Sequence, residues 1–194
     1  MKTKILFVAT IFCCLSFACK SKEKEEPNVK IMEQAKPMED PVTHGEHLVN
    51  SIGCSDCHTP KIFTDHGMEL DTSRLLSGHP ADEALPPYDS ATAKGYILFT
   101  MDLTAITGPW GTSFAANLTP DPSGTGTWTE DQFIYAIRHG KYKGMENGRD
   151  LLPPMPWQSY RNLSDQDLKA IFAYLKSIKP VDNVVPPPIP PKTQ

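Results

Sequence analysis

In the stretch SIGCSDCHTP, residues 51–60, two thiols lie three positions apart and an imidazole directly follows the second. Cys54, Cys57 and His58 are therefore placed for one of three chemistries: holding a metal ion, exchanging a disulfide, or carrying a covalently attached cofactor. Structural zinc takes four ligands, usually completed by a second C-x-x-C or an H-x-x-x-H pair, and the sequence has neither. A thioredoxin-like dithiol belongs in a βαβ setting, and the residues around position 54 do not read as one. A plain disulfide stands as the alternative but leaves the adjacent histidine without a role. C-x-x-C-H is the attachment signature of c-type haem, in which the two thiols add across the vinyl groups and the imidazole ligates the iron.

An iron held on one side by His58 has a sixth position to fill. Met155 sits in LLPPMPWQSY between Pro154 and Pro156. Flanking prolines exclude it from a helix interior, so it does not read as a core methionine on a helical face. One thioether on a stiff extended loop suits a ligand that must be aimed and held. Met145 in YKGMENG is the competing methionine, and His66, His79 and His139 are the competing histidines. His44 and His47 stand on the helix just ahead of the cysteines, too close in sequence to reach the opposite face easily.

Several elements must position these groups. The pattern predicts a short helix over Val42–Ile52. In WTEDQF, Thr129 caps a second helix with Gln132 completing a capping box, and Gly140 stops it. In LSDQDL, Ser164 and Asp167 repeat the arrangement, and Leu168, Ile171, Phe172, Leu175 and Ile178 form one apolar stripe ended by Pro180. Between Gly95 and Asn117 the run YILFTMDLTAI reads as a strand or β-ribbon. The connections are too long for an ideal helical bundle, so something besides hydrocarbon must fill the interior. Trp110, Trp157, Tyr160, Phe172 and Tyr174 are candidate pocket walls, and Arg138 and Asn117 are candidate propionate partners.

Both ends are poor core material. Lys2 and Lys4 precede an apolar run from Ile5 to Phe17, too short to span a bilayer and typical of a secretory leader over residues 1–18. LSFAC resembles the lipobox of bacterial lipoproteins, with Leu15 one place early and a bulky Phe17; the resemblance implies lipidation of Cys19. That assignment also removes Cys13 and Cys14 with the leader and leaves Cys54 and Cys57 as the remaining thiols. Residues 19–41 read as a charged, flexible tether, residues 42–181 as the folded domain, and the Pro-rich residues 182–194 as a tail lying on its surface. The formal net charge is −4, and it becomes more negative once Lys2 and Lys4 are removed, which argues against a nucleic-acid partner.

CSDCHTP, ANLTPDPSGTGTWTEDQF and LLPPMPWQSYRNLSDQDLKAIFAYLKSIKPV together resemble the class I c-type cytochromes, particularly those that serve as subunits or partners of membrane-associated dehydrogenases. The resemblance covers most of residues 45–181. It implies a mainly α, class I cytochrome c fold, with N- and C-terminal helices packed around one covalently bound haem c. Residues 61–115 form a long irregular insertion that has no assigned role. It further implies thioethers at Cys54 and Cys57, His58 and Met155 as axial ligands, and an electron carrier of the bacterial envelope rather than an enzyme. The implied partners are redox proteins, a dehydrogenase or a terminal oxidase or other cytochrome, together with a membrane through the lipid anchor. A peroxidase-like enzyme or a gas sensor with an open iron site is the rival reading.

Overall fold

In the computed structural model the described residues are 40–191. The leader, Cys19 and the tether as far as residue 39 lie outside them. Helix α1 (Pro41–Ser51) starts at Asp40, whose carboxylate accepts from the Thr43 amide, with Pro41 in the first turn where its missing N–H costs nothing. A short helix α2 (Cys54–His58) follows a left-handed Gly53. Helix α4 (Glu130–His139) carries the full capping box of Thr129 and Gln132 and ends on left-handed Gly140. Helix α6 (Asp165–Ser177) carries the box of Ser164 and Asp167. One-turn helices α3 (Thr92–Gly95) and α5 (Trp157–Tyr160) and two 3-10 turns, Thr72–Arg74 and Tyr142–Gly144, complete the helical set among the described residues.

Helix α1 packs directly on α6. At Gly45 a Cβ atom would lie 1.9 Å from the Ala170 carbonyl oxygen and 2.9 Å from the Tyr174 Cβ, so the two backbones meet at that residue. Val49, Leu168, Ile171, Phe172, Tyr174 and Leu175 form the core around this crossing with Phe133 and Ile137 from α4 and Leu76 from a loop. Phe133 stacks on Phe172 with ring centroids 5.3 Å apart.

The expectation of a mainly α domain holds only in part, because residues 61–115 contain two antiparallel sheets. Strands β1 (Lys61–Thr64) and β2 (Gly67–Leu70) form a hairpin, and β3 (Leu98–Phe99), β4 (Ala105–Gly108) and β5 (Gly111–Phe114) form a sheet in that order. The hairpin is mostly exposed, whereas β4 is buried throughout. The Pro-rich segment closes the outer edge of β5: Thr112 and Ile189 exchange both backbone hydrogen bonds, at 2.8 and 2.9 Å. Farther up the same segment, the Asn183 side chain donates to the carbonyls of Ser77 and His79 at 2.7 and 2.8 Å.

A polar link reinforces the helix crossing. His44 Nε2 donates to Asp167 Oδ1 at 2.8 Å, while the same carboxylate accepts from the Ser164 hydroxyl and amide. These bonds, the Ser164 hydroxyl first and then His44, hold the Asp167 carboxyl below its ordinary range. A depressed folded-state value means that the unfolded chain binds the proton more readily, so this stabilisation is complete above the unfolded carboxylate value, about 4, and is lost as pH falls through the folded one. Asp167→Ala is expected to cost about 1 kcal/mol near neutral pH. The cost should shrink in acid, read as denaturation midpoints of variant and parent that converge as pH falls.

Candidate functional site

Helix α2 places Cys54 and Cys57 three residues apart on one face, and neither is in a disulfide. Cys54 packs against the apolar core and Cys57 is half-buried. Burial pushes the Cys54 thiol up to about 11 and raises that of Cys57 as well, so both are neutral thiols at physiological pH. The Lys61 ammonium caps the end of the helix, donating to the carbonyls of Asp56 at 2.7 Å and Thr59 at 2.5 Å.

His58 is fixed by backbone on two sides. Its Nδ1 donates to the Ala116 carbonyl at 2.7 Å, and its own carbonyl accepts from Gly78 N at 2.8 Å. Desolvation holds the imidazole below its ordinary range, partly offset by the Ala116 bond. With Nδ1 engaged as donor, Nε2 carries the lone pair, which is the arrangement of a metal-ligating histidine. The Ala116 segment is itself braced. His79 N donates to Ala115 O at 2.9 Å, Leu118 N donates to Leu76 O at 2.9 Å, and Leu76 N donates to the buried Thr59 Oγ1 at 3.0 Å. Residues 76–79 therefore lie between the cysteine helix and Ala116 and fix their separation.

Met155 packs, half-buried, against the same core cluster as Cys54. Its loop is pinned where Leu151 N donates to Gly140 O at 2.7 Å and where Tyr160 Oη donates to Ile52 O at 2.7 Å. Ile52 lies two residues before Cys54, so Tyr160 ties the methionine loop to the entry of the cysteine helix. Burial pushes its phenol up to about 12, and it remains a donor at any ordinary pH. Gly140 is required where it stands, because a Cβ there would lie 2.4 Å from the Trp157 ring. Met145, by contrast, is 55% exposed.

Two unpaired thiols, a neutral imidazole with Nε2 available and a thioether on the shared core form a donor set that fits a covalently attached haem. Other sequence candidates are engaged elsewhere. Arg138 binds the Arg161 carbonyl and Asp165, linking α4 to the start of α6. The Asn117 amide donates to Ser123 Oγ and Val181 O, at 3.0 and 2.8 Å, and accepts from Thr119. His66 and His139 are exposed, and His79 is buried with Nδ1 2.7 Å from Thr104 Oγ1. The roles of Ala116 and Thr59 were not legible in the sequence: the first acts through its carbonyl, which any residue type would supply, and the Thr59 hydroxyl acts on Leu76, 17 residues away.

Comparison with known proteins identifies the relatives of the chain. The family model described as "Cytochrome c" matches residues 42–179. The fructose dehydrogenase cytochrome subunit of Gluconobacter japonicus is 39% identical over 143 residues, 73% of this chain and 22% of that protein. The gluconate 2-dehydrogenase cytochrome c subunit of Pantoea cypripedii is 32% identical over 142 residues, 72% of this chain and 24% of that one. The cytochrome c subunit of the quinone-dependent alcohol dehydrogenase of Gluconacetobacter polyoxogenes is 40% identical over 78 residues, 39% of this chain and 16% of that one. The chain thus spans less than a quarter of the length of these relatives.

Proposed function

This chain belongs to the cytochrome c family, and on that premise we propose that it is a one-electron carrier of the bacterial envelope, holding a single haem c through Cys54 and Cys57, with His58 and Met155 as axial ligands. The observation that carries the reading is the 2.7 Å bond from His58 Nδ1 to the Ala116 carbonyl, directly after two unpaired thiols. That bond sets the tautomer, points the ring and makes Nε2 the donor.

When bound, the haem supplies a one-electron Fe(III)/Fe(II) couple. The residues of the chain do the rest. The thioether of Met155 favours the reduced state and raises the potential relative to a second imidazole, and the apolar core beside Cys54 and Met155 acts in the same direction. With His58 and Met155 both engaged, no coordination position is left for a substrate, so the protein has no reaction of its own and serves a partner. The relatives, named as cytochrome subunits of dehydrogenases, support a dehydrogenase as that partner, with another cytochrome or a terminal oxidase taking the electron on. In this reading a leader over residues 1–18 is removed and a lipid on Cys19 tethers the domain at a membrane surface. Cys19 lies outside the described residues, and among these no helix is long and apolar enough to cross a membrane.

The test is the absorption spectrum of the haem-loaded protein, oxidised, reduced, and reduced under CO. A low-spin spectrum with the weak long-wavelength band of a thioether on ferric iron, hardly altered by CO after reduction, is the expected result. A high-spin ferric form or rapid uptake of CO would replace the carrier by a peroxidase-like enzyme or a gas sensor.

A further inference from the structure

We propose that Ser113 on β5 is a positioning residue for the Met155 thioether, an inference that rests on the ligand reading above. Ser113 is 7% exposed. Its Oγ donates to the Pro153 carbonyl at 2.6 Å, two residues before Met155, and its other near acceptor, Ile106 O, is 3.4 Å away. Trp110 Nε1 donates to the same oxygen from 3.3 Å. A serine hydroxyl has one proton, and the short contact takes it, while the indole occupies an acceptor site and fixes the rotor.

The methionine loop needs such a grip from outside. Pro153, Pro154 and Pro156 have no N–H to offer, and the Met155 amide is used within the loop, on Leu152 O at 3.3 Å. The Leu151 and Tyr160 anchors lie at the two ends of the run. Ser113 holds its middle, and it does so from a strand that cannot give way. Strand β5 is paired with β4 on one edge and with Ile189 on the other. At Gly111, where φ is +99°, a Cβ would lie 2.1 Å from the Ile189 carbonyl oxygen, so the tail lies hard against the strand. The same strand runs on into Ala116, which holds His58. The inserted sheet is thus a bracket reaching the backbone of both axial-ligand segments, and Ser113 is its contact on the methionine side.

The proposal is tested by titrating ferric, haem-loaded protein with imidazole, which must displace Met155 to bind. Loss of one hydrogen bond to the loop is expected to tighten apparent imidazole binding about fivefold in Ser113→Ala. Ser113→Thr, which keeps the hydroxyl, should restore the parent value. Amide exchange at Met155 should quicken by a similar factor in Ser113→Ala, while that at Ile171 in α6 stays unchanged. Asp167→Asn serves as a control that weakens the fold at the α1–α6 link, where no bond to the methionine loop is made. If Ser113→Ala matches the parent, or if Asp167→Asn tightens imidazole binding as much, Ser113 has no positioning role. If Met155→Ala retains the thioether band, the ligand reading itself fails and the inference falls with it.

Discussion

Gly45→Ala should destabilise the domain by about 3–5 kcal/mol, a large part of the 5–15 kcal/mol by which small domains are stable. The added methyl would sit 1.9 Å from the Ala170 carbonyl oxygen, well inside van der Waals contact, and the atom it meets is backbone that cannot rotate away. Relief requires α1 to move off α6, which opens the packing of Val49, Ile171, Tyr174 and Leu175 and stretches the His44–Asp167 bond. Since α1 leads directly to Cys54, its displacement also shifts the cysteine helix. The contrast is Gly95→Ala, where a Cβ meets nothing within 4 Å and the residue lies in a helical turn; that change should stay within about 0.5 kcal/mol. Urea unfolding of both haem-loaded variants separates the cases. Equal midpoints would mean that the helices do not approach as closely as described.

What could be read from the sequence was governed by local rules. Thr129 with Gln132 and Ser164 with Asp167 announce helix starts through contacts three residues apart, and both boxes are present. Gly140 as a stop follows from the same short-range chemistry. The inserted sheet was only partly legible. Strands β3, β4 and β5 are two to four residues long, and β4 is buried on both faces, so no alternation of apolar and polar residues marks it. The turn into β4 relies on Leu103 at a positive φ of 65°, which nothing in its residue type signals. Asn117 and Arg138 were sensible propionate candidates by type, yet their partners, Val181 and Asp165, lie 64 and 27 residues away in sequence. The tail shows the same limit. Its prolines exclude a helix, but that Asn183 would bind Ser77 and His79 follows only from the assembled fold.

Met155→Ala should remove the thioether band of the ferric protein, let the reduced protein take up CO, and lower the reduction potential by a substantial fraction of the ~0.8 V range that axial ligands command. The competitors are separated by the same spectra. Met145 is more than half exposed, in a turn closed by Gly148 N on its carbonyl at 2.8 Å, so Met145→Ala should leave band and potential unchanged. His79 is the more serious rival, because it is buried and its Nε2 has no partner of good hydrogen-bond geometry, although the Glu83 backbone acts on the ring. Its Nδ1, however, is tied to Thr104, whose hydroxyl donates to the buried Asp102 carboxylate, and its backbone amide is tied to Ala115. That backbone bond sets His79 beside the segment that holds His58. An imidazole ligand there would give a low-spin ferric spectrum without the thioether band, insensitive to Met155→Ala and disrupted by His79→Gln. Loss of the band in Met155→Ala with its retention in His79→Gln therefore assigns the sixth ligand, whereas a parent spectrum without the band, unmoved by Met155→Ala and changed by His79→Gln, would move it to the histidine and lower the expected potential of the parent protein.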